Sequence, residues 1–250
     1  AALGAEYCEI CSDVDGVYTA DPRVVSAARR IGTLSYEETQ ELAESGAKVL
    51  NAQAVEFAKE KGIAIYARAT KGPLPGADPS ADGTVVRRHP PRMPGTVVGV
   101  ASERDVIVIE AAAAEGSAEA FAPGELLTVL DAHYVSGKQL HIAGDRLTLV
   151  ISRENLHEEA RVRAALASTF GSGVRIADTL AAISVVGAGI NASFENLRRG
   201  SAALESASIV VDGVATSSFR ITWMIDRARV DEAVRLLHAT FIEGQAPLVP

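Results

Sequence analysis

The stretch Tyr7-Cys-Glu-Ile-Cys-Ser-Asp-Val-Asp-Gly-Val-Tyr-Thr-Ala-Asp-Pro-Arg23 is typical of a short strand that leads into a polar loop. A mostly apolar run from Tyr7 to Cys11 precedes Ser12-Asp-Val-Asp-Gly16, whose turn formers end the strand. In open α/β sheets, ligands lie beyond the carboxyl ends of the strands. The following residues add an aromatic ring, a hydroxyl, a carboxylate and a guanidinium, and Pro22 stiffens the segment. This pattern favours a nucleotide site, and the alternative is a solvated acidic turn.

The same segment resembles the nucleotide loop of aspartate kinases, which belong to the amino-acid kinase family. Nearly every position from Cys8 to Arg23 agrees with the family pattern, and Cys11 stands where Tyr is usual. The resemblance implies a partial amino-acid kinase fold, of the α/β class with a mainly parallel sheet, that binds ATP together with Mg²⁺. It assigns nucleotide binding to Ser12, Asp13, Tyr18, Thr19, Ala20, Asp21, Pro22, Arg23 and Lys48.

Lys48 follows a predicted helix. Ser35 and Glu38 have the spacing of a capping box, which predicts a helix from Ser35 to Ser45 that Gly46 ends. The next residues resemble the family's Gly-(Ala/Ser)-Lys-(Val/Ile)-Leu segment, in which the lysine approaches the ATP phosphates. The resemblance therefore makes Lys48 the candidate catalytic residue, since an ammonium group stabilises charge on a transferring phosphoryl group.

A second helix, Ala52–Lys61, and a strand, Ile63–Arg68, continue the alternation of helices and strands that indicates a parallel sheet. The opening residues, Ala1–Gly4, are typical of the last turn of a helix. The family's Lys-Phe-Gly-Gly and Gly-Arg-Gly-Gly-Ser-Asp elements have no match in the sequence. We therefore expect that the N-terminal part of the catalytic domain is missing and that this chain alone is inactive as a kinase.

The composition changes between Lys71 and Thr96, where six of the ten prolines fall, and this predicts a linker or an irregular excursion of the chain. Beyond it the pattern predicts two βαββαβ units in tandem. The first unit comprises strand Asp105–Glu110, helix Gly124–Ala132, strand Gln139–Ala143, strand Arg146–Ser152, helix Asn155–Ser168 and strand Gly173–Asp178. The second comprises strand Ala182–Val186, helix Glu195–Ser206, strand Ser208–Asp212, strand Ser217–Ile225 and helix Val230–Ile242.

The paired units resemble ACT domains, the α+β amino-acid-sensing modules that follow the kinase domain in aspartate kinases. Ile183–Gly189 agrees with the family's Val-Ser-(Val/Leu)-(Val/Ile)-Gly-Ala-Gly, and Val230–His238 matches its last helix, with an apolar face that continues to Phe241. The predicted domains are a kinase portion at 1–72, a linker at 73–96 and ACT domains at 97–180 and 181–250.

The ACT resemblance implies a homodimer or higher oligomer formed through these domains, and lysine or threonine as a possible effector. The effector turns would lie near Pro123-Gly124 and Asn191-Ala192-Ser193, at helix N-termini that can hold a carboxylate. Because neither turn keeps the family's fuller glycine pattern, a purely structural, dimer-forming role is the alternative.

Composition excludes several other classes. At 250 residues and a net charge of -8, the chain lacks the basic surface of a nucleic-acid-binding protein, and the cluster Arg87-Arg88-His89 with Arg92 is interpreted as a solvated linker. No apolar run reaches the length of a membrane span, and no signal peptide is evident, so we expect a cytoplasmic protein. Cys8 and Cys11 point to opposite faces of a strand and are expected to be buried thiols rather than a metal or redox pair.

Two functions remain open from the sequence. One is the C-terminal part of a feedback-regulated aspartate kinase, which would transfer the ATP γ-phosphoryl group to the side-chain carboxylate of aspartate in lysine, threonine and methionine biosynthesis. The other is a non-catalytic, amino-acid-sensing subunit related to aspartate kinase that keeps part of a kinase lobe as a docking surface.

Overall fold

The computed structural model describes residues 4–71, 82–88, 92–113 and 121–244. It divides into two compact units, one formed by Ala1–Ser102 with Ala182–Pro250 and the other by Glu103–Ala181. The predicted domain boundaries at 72, 96 and 180 stay predictions. Among the described residues, no helix is both long enough and apolar enough to cross a membrane.

The described helices and strands follow one another in this order: β1 Tyr7–Ser12, β2 Thr33–Leu34, α1 Tyr36–Glu44, α2 Ala52–Lys61, β3 Ala64–Ala69, β4 Gly83–Val86, β5 Gly99–Glu103, β6 Val106–Ala111, α3 Pro123–Ala132, β7 Gln139–Ala143, β8 Arg146–Ser152, α4 Glu159–Phe170, β9 Val174–Ala177, β10 Leu180–Val186, α5 Glu195–Ser206, β11 Val211–Thr216, β12 Arg220–Asp226 and α6 Val230–His238. A π-helical turn, Ala239–Glu243, continues α6.

The predicted kinase portion contains a four-stranded sheet in the order β1-β3-β4-β2. β1 is parallel to β3 and β2 is parallel to β4, while β3 and β4 are antiparallel. The mainly parallel α/β sheet is therefore confirmed. Strand β4 falls inside the stretch that composition predicted to be a linker, and that prediction is wrong for Gly83–Val86. Four residues between proline-rich segments are too few to show a strand period, although all four are buried.

Local sequence signals fix the helices of the kinase portion. Ser35 accepts a hydrogen bond from the Glu38 N–H at 3.0 Å, and the Glu38 carboxylate accepts one from the Ser35 N–H at 2.8 Å. This is the predicted capping box, and it begins α1. Asn51 caps α2 through the Ala54 N–H. Gly62 ends α2 in the left-handed conformation (φ 64°), which favours glycine.

The second sheet of the first unit has the order β11-β12-β10-β5. Strand β5 leads into residues 103–181, strand β10 begins at their end, and β11 and β12 follow them. This sheet, with α5 and α6, forms one ACT-like unit, and its fourth strand was not assigned to it from the sequence. The last strands lie a few residues later than predicted because Ser208 takes a positive φ of 55° and extends the turn after α5.

Residues 103–181 form the other ACT-like unit. Its antiparallel sheet has the order β7-β8-β6-β9, and α3 and α4 supply the βαββαβ order that the sequence predicted. The core combines Ile107 and Ile109 of β6 with Leu126 of α3 and Leu166 of α4. A 3₁₀ turn at Arg153–Asn155 precedes α4, so the helix starts later than predicted.

Candidate functional site

The predicted nucleotide loop begins where β1 ends. In the parallel pair, Ser12 is in register with Ala69, so both strands end at the same edge of the sheet. The Ser12 carbonyl accepts hydrogen bonds from the Thr70 N–H at 2.8 Å and the Thr70 hydroxyl at 2.9 Å. Asp13 follows as an exposed bend residue. The loop therefore leaves the sheet at the edge where α/β proteins bind ligands.

Thr84 of β4 holds the turn of the loop. Its hydroxyl accepts from the Val17 N–H at 2.8 Å and donates to the Ile31 carbonyl at 2.7 Å. Gly16 has φ 141°, and a Cβ there would lie 2.6 Å from Thr84 Oγ1. Only glycine fits this position, because any side chain would meet both the strained backbone angle and the buried hydroxyl.

Tyr18 is held by a charged pair beside the loop. Its hydroxyl donates to Asp15 Oδ1 at 2.7 Å, and Arg30 Nη1 donates to Asp15 Oδ2 at 3.1 Å. The bond to Asp15, assisted by partial burial, raises the pKa of Tyr18 above its ordinary value. Tyr18 is therefore a neutral ring in a fixed orientation, and its predicted contact with a nucleotide stays a prediction.

Thr19 and Ala20 are buried. The Thr19 N–H donates to the Arg29 carbonyl at 2.8 Å, and the Thr19 carbonyl accepts from the Val100 N–H at 2.7 Å. Its hydroxyl accepts from the Arg29 N–H at 2.9 Å and lies 2.9 Å from His238 Nε2. Each polar group of Thr19 thus has a partner inside the protein. We conclude that Thr19 shapes the loop, and its predicted contact with a nucleotide remains untested.

Asp21, Pro22 and Arg23 form the outer part of the loop. The Asp21 carboxylate accepts two-pronged hydrogen bonds from the Arg23 guanidinium, with Nη2 to Oδ2 at 2.8 Å, and one from the Arg23 N–H at 2.9 Å. The Arg23 side chain is 90% exposed. A guanidinium held in a planar fork and open to solvent can bind an anion through its remaining donors.

Lys48 lies on the turn after α1, and its side chain is exposed. The neighbouring residues Ala47, Val49 and Leu50 pack against the core cluster that also contains Val17 of the loop. The structure therefore anchors the Lys48 turn and the loop to one hydrophobic core. Whether Lys48 reaches the phosphates of a nucleotide stays a prediction.

The cysteines differ from expectation. Cys8 and Cys11 are free thiols, and both are exposed, so the prediction of buried thiols is wrong. The cause is the position of β1, which pairs with β3 alone in the part of the chain that the structure describes. Within these same residues, no group of three or more histidine, cysteine, aspartate or glutamate side chains is arranged to hold a metal ion.

An open pocket of about 530 Å³ lies at the turn where the sequence predicted an effector. Its wall includes Ala192, Ser193, Asn196 and Arg199. Asn196 Nδ2 donates to the Gly95 and Ile190 carbonyls, and Arg199 Nη2 donates to the Thr240 carbonyl. These bonds fix the pocket wall.

Of the predicted basic cluster, His89 lies outside the described residues, and Arg92 forms an ion pair with the buried Glu38 at 3.4 Å.

The contact of Thr19 with His238 was missed from the sequence. In the sequence, no pattern links His238 to a loop more than two hundred positions earlier. One local signal was available. His238 follows Leu237 on the apolar face of a helix, and a polar residue at such a position needs a buried partner.

Comparison with known proteins gives the family. Residues 1–67 match the model of the amino acid kinase family. An aspartokinase of Mycolicibacterium smegmatis is 33% identical over 96% of this chain and 58% of its own length. The aspartate kinase Ask_LysC of Stutzerimonas stutzeri is 29% identical over 99% of this chain and 60% of its own length. This chain is a relative of the aspartokinases. It spans about three fifths of the length of these curated relatives.

Solved aspartokinase structures share the fold. Escherichia coli aspartokinase III, in complex with aspartate and ADP, matches 97% of this chain and 54% of its own with a TM-score of 0.81 at 23% identity. The aspartate kinase of Clostridium acetobutylicum matches with a TM-score of 0.79 at 24% identity, covering 96% of this chain and 55% of its own. The chain thus shares the fold of these aspartokinases.

Proposed function

We propose that this chain is the C-terminal part of an aspartate kinase, which phosphorylates the side-chain carboxylate of aspartate with ATP and is regulated through its ACT-like units in the biosynthesis of lysine, threonine and methionine. The supporting observation is the built loop from Ser12 to Arg23. Gly16, Thr84 and Thr19 hold it in one conformation, and it leaves Asp13 and Arg23 exposed.

The exposed groups fit a nucleotide. Asp13 offers oxygen acceptors, and Arg23 offers donors beyond those that bind Asp21. The Ser12 hydroxyl donates to the Val14 carbonyl and accepts from the Val14 N–H, which leaves it one acceptor position for a nucleotide. Lys48 would meet the phosphates, where its ammonium group would stabilise the charge of the transferred group. ATP supplies the γ-phosphoryl group, and we expect Mg²⁺ to arrive with its phosphates. This chain's own residues bind and orient the nucleotide.

The test of nucleotide binding is calorimetric titration of the chain with Mg²⁺-ADP. We expect saturable binding that weakens in Lys48→Ala and persists in Lys61→Ala, a control at the exposed end of α2. In a longer protein that carries the family's N-terminal glycine-rich elements, Lys48→Ala is expected to lower aspartyl phosphate formation about 10²- to 10³-fold. A variant within twofold of the parent would remove Lys48 from the site.

The chain alone is expected to form no aspartyl phosphate, because positioning supplies most of phosphoryl-transfer catalysis and the family's Lys-Phe-Gly-Gly and Gly-Arg-Gly-Gly-Ser-Asp elements have no match in this sequence. ATP- and Mg²⁺-dependent product from the purified chain would contradict this part of the proposal.

Regulation is proposed through the ACT-like units. Lysine or threonine would bind at one of the strand-to-helix turns and raise the melting temperature, because a ligand that binds only the folded state stabilises it. A homodimer or higher oligomer would form through these units, consistent with exposed apolar residues such as Leu140 and Ile142 on β7. Sedimentation that finds monomer alone, together with no melting shift, would leave regulation unsupported.

A second candidate is a non-catalytic sensing subunit. The regulatory subunit of aspartate kinase from Thermus thermophilus matches 58% of this chain and 99% of its own, with a TM-score of 0.50 at 18% identity. A separately encoded subunit can therefore share the fold of more than half of this chain. Effector binding without any binding of Mg²⁺-ADP would favour this candidate over the first.

A further inference from the structure

A buried chain of hydrogen bonds joins the nucleotide loop to the last helix. Thr19 Oγ1 lies 2.9 Å from His238 Nε2, and His238 Nδ1 lies 3.3 Å from Glu243 Oε1. His238 is completely buried, and Thr19 is 2% exposed. The two ends belong to the kinase portion and to the ACT-like unit that contains β5 and β10–β12, and the sequence separates them by 219 positions.

The surrounding atoms fix the direction of each bond. The Glu243 carboxylate is an acceptor, so His238 Nδ1 carries the proton and donates to it. His238 Nε2 is then an acceptor, and the Thr19 hydroxyl donates to it. The same hydroxyl oxygen accepts from the Arg29 N–H at 2.9 Å. The neutral tautomer of His238 that carries its proton on Nδ1 therefore leaves the Glu243 carboxylate, the Thr19 hydroxyl and the Arg29 N–H each with a hydrogen-bond partner.

A second bond joins the same two segments. Arg29 Nη2 donates to the Ile242 carbonyl at 3.0 Å, and the Arg29 carbonyl accepts from the Thr19 N–H at 2.8 Å. Thr19 and Arg29 thus bind each other through their backbones, and each binds the C-terminal segment through its side chain. The C-terminal segment therefore holds the loop through two hydrogen bonds, one to Thr19 and one to Arg29.

Removing one member of this arrangement would leave a buried donor or acceptor without a partner, which costs more than an exposed hydrogen bond does. The backbone of Thr19 continues directly into Ala20 and Asp21, so a displacement at Thr19 moves the predicted nucleotide contacts. His238 itself touches none of the exposed groups of the loop that would meet a nucleotide.

We propose that His238 is a positioning residue, through which the last helix of the ACT-like unit holds Thr19 and so sets the conformation of the nucleotide loop. The effect on nucleotide affinity rests on the proposed function, whereas the effect on the loop itself does not. The arrangement also gives the ACT-like unit a direct physical connection to the site that it would regulate.

The first experiment measures amide hydrogen exchange in the chain. Reporter amides are those of Ile31 and Val100, which bind the loop carbonyls of Val17 and Thr19. We expect Thr19→Val and His238→Leu to lower protection at these amides about tenfold, the result of losing one buried hydrogen bond. Thr19→Ser keeps the hydroxyl and should keep the protection. His238→Gln keeps an acceptor and should lower protection less than His238→Leu does. If His238→Leu does not fold, Thr19→Val alone carries the test of the lost bond.

The matched control is Thr222→Val. Thr222 and Ser184 form a buried hydroxyl pair at 2.8 Å in the same unit, on strands β12 and β10. This variant also loses one buried hydroxyl and so destabilises the fold to a similar degree. The protection of Ile31 and Val100, compared at equal global stability, should remain within twofold of the parent chain.

The second experiment titrates the same variants with Mg²⁺-ADP. We expect the Kd to rise about tenfold in Thr19→Val and His238→Leu and to change less than twofold in Thr222→Val. If the parent chain binds no Mg²⁺-ADP while the exchange differences appear, the proposed function fails and the positioning role stands. Unchanged exchange in both Thr19→Val and the His238 variant, or an equal change in Thr222→Val, overturns the positioning role.

Discussion

In each of the two ACT-like units, a second helix covers a four-stranded sheet. The two helices, α4 and α6, differ in the kind of side chain that they bury. In α4 the buried residues are Val162 and Leu166. In α6 they include Val230, Val234, Leu237 and His238. The residue after the last buried leucine is the exposed Ala167 in α4 and the completely buried His238 in α6.

The polar side chains of α4 instead lie at its surface. Arg163 forms ion pairs with Glu159 at 2.7 Å and with Asp178 at 3.1 Å, and its side chain remains 32% exposed. Such pairs hardly change stability, because water solvates both charges well. The comparison shows that the second helix of this fold can keep its polar side chains in solvent, as α4 does. It can also bury a polar side chain against a distant part of the chain, as α6 does with His238.

The largest effect should come from the buried leucines. Leu237→Ala and Leu166→Ala each remove a fully buried side chain, and each should lower the free energy of unfolding of its unit by about 2–5 kcal/mol. Because α6 carries the His238 that binds Thr19 of the loop, only Leu237→Ala should also expose the amides of Ile31 and Val100 to hydrogen exchange. Equal exposure in the two variants would erase the distinction.

Substitution of a glycine by alanine should have opposite effects on stability in α5 and α3, the first helices of the two units. At Gly200 in α5, a Cβ would lie 2.6 Å from the Trp223 ring, whereas at Gly124 in α3 it would meet nothing within 4 Å. Gly200→Ala should destabilise the protein by about 1–3 kcal/mol through overpacking, and Gly124→Ala should stabilise it by about 0.5–1 kcal/mol. Denaturant unfolding of both variants measures this. Changes of the same sign would show that the Trp223 contact is easily relieved.

A pH effect is expected from α6. Burial lowers the pKa of His238, with Arg29 acting in the same direction and Glu243 opposing it. The unfolded chain therefore binds a proton more readily than the folded chain does. The contribution of His238 is complete above its unfolded pKa and is lost as pH falls from there towards the folded pKa, with a slope below about 1.4 kcal/mol per pH unit.

The measurement is the free energy of unfolding between pH 7.5 and 5 for the parent chain and His238→Gln. The difference between them should shrink as pH falls, because glutamine does not titrate. A difference that is constant across this range would mean that His238 keeps the same protonation in the folded and unfolded states.

The smallest effect should come from the surface of α4. Arg163→Ala removes both ion pairs of this side chain and should change the free energy of unfolding by about 0.2–1 kcal/mol, and by less in high salt. Thermal melts at low and high salt provide the measurement. A loss as large as that of Leu166→Ala would mean that the polar face of α4 is not simply solvated.

Much of the fold could be predicted because its signals are local. The capping box of Ser35 and Glu38 and the boundaries of α2, set by Asn51 and Gly62, depend on residues within one turn of the chain. The loop from Ser12 to Arg23 was found for the same reason, since its turn residues are contiguous. The apolar face of α6 was found from its helical period.

The features that could not be predicted depend on distant pairing. Strand β4 is too short to show a period, and only its neighbours β3 and β2 reveal it. Strand β5 pairs across an entire intervening unit. The bond between Thr19 and His238 joins residues whose own surroundings in sequence give no sign of each other. For the predicted site, the sequence named the residues but not which of them are already engaged inside the protein.

Strand β5 has a consequence for how the chain could have been assembled. Hydrogen bonds from the Gly95 and Val98 amides to the Ala188 and Val186 carbonyls run in opposite chain directions, as in a β-hairpin. The intervening unit has paired ends of its own, since β6 and β9 are antiparallel with Val108 opposite Ala177. The entropy cost of closing a flexible loop grows with the length of the loop, and a folded insert whose ends lie close together leaves little flexible length to close. The intervening ACT-like unit therefore connects the antiparallel strands β5 and β10, as a turn connects the strands of a hairpin. Another domain with adjoining ends could replace it without altering the register of β5 and β10.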